Sequence, residues 1–241
     1  MIHDADTGTA SYCTGTIVEG ADDRTIILTA AHCIIGEDAN GNPVYPEYAL
    51  FIPKQDDGGS DTTDIDCSND VYGCIPISFA VVSTSYETAN TNDSTIRLNY
   101  DYGFFVAEGV TTDNGTELTP VPINFEGMTP YVADAGVFGY PADADPEFMY
   151  SQGELQTSPL NEGYYMDCST LGQGASGGPW TDHDIDWGFE TQCVTSWIWA
   201  DGSSGVGCAP LHTGGAECVY NAALSADLAS ESFAAECGSF A

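Results

Sequence analysis

Thr25-Ile26-Ile27-Leu28-Thr29-Ala30-Ala31-His32-Cys33 begins with the composition of a strand and ends on a histidine. The β-branched and apolar residues 25–29 favour extended pairing, and the small Ala30 and Ala31 leave the imidazole of His32 accessible at the end of the run. Immediately upstream, Gly20-Ala21-Asp22-Asp23 reads as a hairpin turn back to the run 16–19. Further out, runs at 75–82, 102–107, 131–139, 193–199 and 216–220 are separated by Gly, Pro, Asn and Asp. Many short strands with turn signals between them predict an all-β sandwich or barrel. One helix is expected, from Asn221 as its cap to about residue 235, with Leu224, Leu228 and Phe233 at roughly helical spacing. The acidic stretch 55–70 reads as a long surface loop, and no internal repeat or low-complexity linker divides the 241 residues.

Charge sets the next bound. Three basic residues (Arg24, Lys54, Arg97) face 37 acidic ones, a formal net charge of −34. Area scaling gives a folded surface of roughly 10,000 Å² at this mass. Such a surface repels nucleic acid and anionic membranes, so neither is an expected partner. Its self-repulsion is largely screened near 1 M salt, where the Debye length is about 3 Å, which points to a saline setting. No run of apolar residues is long enough for a membrane-spanning helix.

Nine cysteines without a C-x-x-C pair fit a disulfide framework in an exported protein better than zinc or thioredoxin chemistry. The odd count leaves one thiol over, and Cys237, near the tail, is the candidate. The opening Met1-Ile2-His3-Asp4 lacks the basic and apolar segments of a secretion signal. Export then implies that a signal or propeptide has been removed.

Three separated residues suggest chemistry. Ser176 lies in Gly172-Gln173-Gly174-Ala175-Ser176-Gly177-Gly178-Pro179, where flanking glycines allow sharp turns and close approach of a substrate carbonyl. Asp101, in Asn99-Tyr100-Asp101-Tyr102-Gly103-Phe104-Phe105-Val106, is a lone carboxylate among aromatics, and burial there requires a partner. Singly, each has a plain structural explanation: a turn serine, a satisfied histidine, an exposed aspartate. Together they run in the order His, Asp, Ser.

With these residues in view, Thr29-Ala30-Ala31-His32-Cys33 and Gly174-Ala175-Ser176-Gly177-Gly178-Pro179-Trp180 resemble the motifs around the catalytic His and Ser of chymotrypsin-like serine proteases. The likeness runs from about Tyr12 to Phe233. Val137-Phe138-Gly139-Tyr140-Pro141 with Tyr150-Ser151-Gln152-Gly153 resembles the bacterial and fungal branch that includes glutamyl endopeptidases, and Cys218-Val219-Tyr220 resembles the family's last strand before its terminal helix. The resemblance implies a single peptidase domain of two six-stranded antiparallel β-barrels and a C-terminal helix. One barrel, at about 12–115, would carry His32 and Asp101; the other, at about 116–241, would carry Ser176. It implies Ser176 as nucleophile, His32 as base, Asp101 as orienting acid and the N–H groups of Gly174 and Ser176 as oxyanion hole. Neither metal nor organic cofactor is required. The expected protein is a secreted, monomeric serine endopeptidase acting on polypeptides.

Departures from the family shape the rest. Ala175 replaces the Asp by which animal trypsins bind a freed N-terminus, so activation by insertion of the N-terminus is not expected. Thr170, six before the nucleophile, replaces the Asp of an Arg/Lys pocket, and Val194-Thr195-Ser196-Trp197-Ile198-Trp199 has no His for a substrate carboxylate. A neutral, apolar-to-small pocket is expected, with Ser196 and Trp197 lining the extended substrate. The resemblance also implies a Cys13–Cys33 bridge beside His32. Cys67–Cys74 follows from local spacing. Cys168, Cys193, Cys208 and Cys218 allow three pairings, of which Cys168–Cys193 with Cys208–Cys218 is preferred. Asp182-His183-Asp184-Ile185-Asp186 has the Gly one residue late for a calcium loop and reads as an acidic hairpin. The competing functions are a catalytically silent homologue acting as a binding module, and an esterase. The intact triad disfavours the first, and the all-β pattern with His before Ser disfavours the second.

Overall fold

Alternate residues of the apolar runs feed two different cores. In β4 (Arg24–Thr29), β9 (Phe79–Ser83) and β10 (Gly103–Glu108), residues Ile26, Leu28, Phe79, Val81, Phe104 and Val106 face one cluster. Ile27, Ala80, Val82 and Phe105 face another. Burial on both faces explains why these runs are continuously apolar rather than alternating. With β3 (Thr16–Val18) and β18 (Phe233–Glu236) they make a five-stranded sheet in the order β18-β9-β10-β4-β3. All its pairs are antiparallel except β18 with β9. The structure is a computed structural model that describes residues 2–4, 9–38, 40–54, 72–89, 94–112, 114–127, 135–141, 147–168, 170–182, 190–198, 205–212, 215–229 and 233–237.

The second large sheet has seven strands: β11 (Ala135–Gly139), β12 (Met149–Gly153), β13 (Gln156–Thr157), β14 (Tyr164–Met166), β15 (Pro179–Asp182), β16 (Thr191–Ile198) and β17 (Val206–Pro210), ordered β12-β11-β15-β16-β17-β14-β13. A four-stranded sheet joins β1 (Ile2–Asp4), β2 (Thr9–Ser11), β7 (Tyr48–Phe51) and β8 (Ile75–Pro76), and β5 (Gly36–Glu37) pairs with β6 (Pro43–Val44). The molecule is mostly β, as expected. Among the described residues the ladders join as sheets of five, seven, four and two strands rather than as two closed sets of six. The apolar run 75–82 breaks after Pro76, at Ile77 and Ser78, which separates β8 from β9 and sends them to different sheets.

Three α-helices are described: α1 (Thr84–Thr88), α2 (Ser94–Asn99) and α3 (Ala216–Ser225). None is long and apolar enough to cross a membrane. The segment 216–220, read as a strand, is the first half of α3, and Asn221 is interior rather than the cap. Gly215, at φ 87°, starts the helix, and Ala216, Val219 and Ala223 bury one stripe of it at spacings of three and four against Phe104, Val194 and Leu211. The expected extension to residue 235 does not occur. The helix ends at Ser225, Leu228 tucks into the shared core, and residues 233–236 form a strand.

The cysteines correct two further expectations. Cys13–Cys33 forms, with Cα atoms 6.2 Å apart. The preferred set fails, however: Cys193 pairs with Cys208 and Cys218 with Cys237, leaving Cys168 as the free, buried thiol in place of Cys237. Register is the reason. Cys193 lies opposite Pro210 and Thr195 opposite Cys208, which makes Cys193 and Cys208 diagonal neighbours on the β16–β17 ladder. Cys74 is disulfide-bonded; Cys67, its expected partner, lies outside the described residues, as do the loop 55–70 and residues 183–186 of the acidic hairpin.

Candidate active site

Strand β4 delivers its chain to a tight turn. The N–H groups of Cys33 and Ile34 donate to the carbonyls of Ala30 and Ala31 at 3.1 and 2.9 Å, and both alanines are fully buried. A larger side chain at either position would displace the turn. His32 projects from it with 34% of its side chain exposed, and the disulfide on Cys33 fixes the turn covalently to Cys13.

Asp101 reaches the same place from β10, whose Gly103 lies opposite Thr29 of β4. Its carboxylate is 3% exposed and accepts three hydrogen bonds. The His32 main-chain N–H donates to Oδ1 at 2.8 Å, His32 Nδ1 lies 2.7 Å from Oδ2, and Ser196 Oγ–H donates to Oδ2 at 2.6 Å. A carboxylate offers only acceptors, so Nδ1 carries the proton of that contact and Nε2 is the unprotonated nitrogen of the neutral ring. Burial pushes the His32 pKa down, but the charge of Asp101 and its hydrogen bond outweigh this. The ring holds its proton more tightly than an ordinary imidazole, with Arg97 opposing.

Ser196 stands at a break in register. Thr195 pairs with Cys208 and Trp197 with Gly207, so Ser196 is the extra residue of a bulge. The bulge re-aims one side chain, here toward Asp101. The sequence placed Ser196 beside substrate; its hydroxyl contact with Asp101 went unread, since a bulge depends on pairing register.

The loop at 172–178 is two consecutive turns, with Ala175 N–H on Gly172 O at 3.2 Å and Gly178 N–H on Ala175 O at 3.0 Å. Glycine is required at 177, where φ is +81° and a Cβ would lie 2.1 Å from Thr29 Oγ1 and 2.4 Å from Thr14 O. Among the described residues, the N–H groups of Gly174 and Ser176 donate to no protein acceptor. Ser176 is held beside the His32 turn through its carbonyl, which accepts from Thr14 N–H at 2.8 Å and touches Cys33 Sγ at 3.8 Å. No hydrogen bond joins Ser176 Oγ to His32. Such a bond is often long without substrate and tightens in the complex.

His32, Asp101 and Ser196 are thus bonded directly, and Gly174 and Ser176 are brought to them through Thr14 and the disulfide. Thr170 is not among these contacts: it is exposed, with its hydroxyl 3.5 Å from both Cys168 Sγ and Tyr150 O. Trp197 packs near Tyr165, ring centroids 6.4 Å apart, and covers Gly207, where any Cβ would strike its ring. The one described group with metal-ligand spacing is Cys13, His32 and Cys33, and the disulfide consumes two of its three donors.

A family model of the trypsin-like peptidase domain matches residues 13–186, well over half the chain. The chain belongs to that family. This trypsin-like peptidase is a serine endopeptidase by class, and polypeptides are the substrates such a family implies. No curated protein matches its sequence. Its fold is similar to that of the protease Anisep from Arthrobacter nicotinovorans, with a TM-score of 0.70 at 20% identity over 93% of each chain. It is also similar to the thermostable serine protease AL20 from an extremophilic microorganism, with a TM-score of 0.69 at 24% identity over 94% of this chain and 95% of the other. A Glu endopeptidase solved with MPD gives 0.57 at 20% identity, over 90% and 87%.

Proposed function

We propose that this trypsin-like peptidase cleaves peptide bonds with Ser176, His32 and Asp101 as its triad. The observation that carries the reading is the His32 Nδ1 to Asp101 Oδ2 contact of 2.7 Å, which leaves Nε2 available as the base. Nε2 takes the Ser176 hydroxyl proton as Oγ bonds to the scissile carbonyl carbon. The resulting oxyanion is received by the free N–H groups of Gly174 and Ser176. Donors of this kind contribute about 3–4 kcal/mol each to lowering the barrier. His32 then gives its proton to the leaving amine, and water, activated by the same Nε2, releases the acid from the acyl-enzyme. Asp101 holds the ring in one tautomer and stabilises the imidazolium, and Ser196 holds Asp101.

The same reading assigns His32 and Asp101 to a unit at about 12–115 and Ser176 to one at about 116–241, acting as one monomeric domain. The disulfides support export, and a net charge of −34 supports adaptation to salt. A neutral or apolar side chain is the expected pocket occupant, because Thr170 carries no charge to pair with Arg or Lys. No Glu-receiving His is present on β16.

A fluorophosphonate probe tests the triad, applied to wild type and Ser176→Ala at low and high salt. Labelling that requires Ser176 and increases with salt is expected. Folded wild type that stays unlabelled at every salt concentration would remove the catalytic reading and leave a binding homologue. A peptide-library cleavage profile then fixes the pocket; cleavage after Arg or Lys would overturn the neutral assignment.

A further inference from the structure

Thr14 is 5% exposed and every polar atom it carries is used. Its N–H donates to Ser176 O at 2.8 Å and its carbonyl accepts from Thr29 Oγ1 at 2.8 Å. Its hydroxyl donates to Gly174 O at 2.9 Å and accepts from Tyr140 N–H at 2.9 Å. Its side chain therefore joins the nucleophile loop to the chain leaving β11, next to the bridged Cys13. None of the partners is nearer than 15 residues in sequence.

Where the hydroxyl binds matters more than how many bonds it makes. Gly174 O belongs to the peptide linking residues 174 and 175. That peptide lies between the two whose N–H groups, on Gly174 and Ser176, form the proposed oxyanion site. Gly174 has φ 94°, a conformation glycine enters and leaves at little steric cost, so sterics alone do not fix the peptide that follows it. Two bonds fix it instead: Ala175 N–H on Gly172 O, and Thr14 Oγ1–H on Gly174 O. The stiff χ1 of a β-branched residue suits Thr14 to this task.

We infer that Thr14 is a positioning residue for the oxyanion site, its hydroxyl holding the 174–175 peptide so that the N–H groups on either side converge on one point. The inference deepens the reading of Ser176 as nucleophile and rests on it. Thr14 touches no substrate atom and acts through Gly174. Replacing the hydroxyl with a methyl group removes the donor from the buried Gly174 C=O and the acceptor from Tyr140 N–H, and loosens the peptide.

The test compares wild type, Thr14→Val, Thr14→Ser and Ser176→Ala, using a peptide substrate taken from the cleavage profile and the rate of fluorophosphonate labelling. Loss of one oxyanion donor costs about 10²–10³ in kcat, and misplacement of both by Thr14→Val is expected to cost about 10–100-fold. KM and the pH midpoint of the reaction stay within about two-fold and a few tenths of a unit, because neither pocket nor His32 is touched. Thr14→Ser, which keeps the hydroxyl, retains kcat within about three-fold. If Thr14→Val does not fold, Thr14→Ala takes its place with the same expected outcome. A folded Thr14→Val with wild-type kcat overturns the inference. So does a Thr14→Ser as slow as Thr14→Val, since packing rather than the hydroxyl would then be responsible. If wild type itself shows no Ser176-dependent labelling, the reading of Ser176 falls first and this inference with it; labelled wild type with an unaffected Thr14→Val removes this inference alone.

Discussion

At the scale of single residues, the proposed triad makes His32 the group expected to set the pH dependence. Its pKa in the folded protein is raised above 6.5 because Asp101 outweighs the desolvation of the ring. A general base works only when unprotonated, so with His32 in the proposed role kcat/KM is expected to rise with pH through a midpoint above 6.5. Stability follows the opposite course: the His32–Asp101 pair contributes fully below the unfolded value near 6.5, and that contribution is lost as pH rises through the folded value. Asp101→Asn should lower the midpoint and reduce kcat on the order of 10⁴-fold, as loss of a triad acid does by leaving the wrong tautomer. Ser196→Ala removes a 2.6 Å donor from Asp101. It leaves more negative charge facing the imidazole, so the midpoint should move up while stability falls by about 1.5–3 kcal/mol. A pH–rate profile of the three proteins, with denaturant unfolding, checks both signs; a midpoint that falls in Ser196→Ala would contradict the role given to its hydroxyl.

At the scale of elements, what could be read from the sequence depended on how local its cause was. Strands β4, β10 and β16 were legible because residues such as Ile26, Phe104 and Val194 are buried wherever the chain goes, and short apolar runs between turns fit little else. His32 and Asp101, which the structure bonds directly, stood out through their immediate neighbours, as did Ser176, the proposed nucleophile, through the glycines around it. Helix α3 was misread because Cys218-Val219-Tyr220 has a local preference for strand, while the decision is made by tertiary burial of Ala216, Val219 and Ala223. The disulfides of the second half were misread because the Cys193–Cys208 pairing follows the β16–β17 register, itself shifted by the bulge at Ser196. Thr14 escaped notice for the same reason: its partners Tyr140 and Gly174 are 126 and 160 residues away. The corrected framework is testable by thiol mapping. Cys168, 4% exposed, should resist alkylation in the native protein and be labelled after unfolding without reductant; recovery of label on Cys237 would contradict the Cys218–Cys237 bridge.

At the scale of the whole molecule, the surface of 11368 Å² carries roughly one net negative charge per 330 Å². All three basic residues make local contacts, Lys54 with the ring of Tyr72, whose centroid is 5.3 Å from its Nζ. Arg24 bonds Asp23 and the carbonyl of Ala226, and Arg97 bonds Glu37 and Tyr86. Little positive charge is left to offset the repulsion at long range, so added salt is expected to stabilise the fold. Each kcal/mol of repulsion relieved is worth about 2–4 °C in Tm at this size. Thermal unfolding between low and molar NaCl should show a monotonic rise, whereas a flat or falling Tm would contradict adaptation to salt. The His32–Asp101 contact lies in a buried carboxylate environment that mobile ions reach poorly. Salt should therefore change the amount of folded enzyme far more than the pH midpoint of the folded fraction.

Strand β18 also bears on how the protein is made. It pairs in parallel with β9, whose other neighbour is β10, and Cys237 at its end is bonded to Cys218 of α3. As the chain leaves the ribosome, β3, β4, β9 and β10 emerge early and can align, but the outer rim of β9 has nothing to cover it until residues 233–236 arrive. An uncovered rim is a template for pairing with other chains. A sheet built largely from the first half of the chain therefore depends on a strand more than 120 residues further on for its outer edge, and the Cys218–Cys237 bond ties that strand to α3.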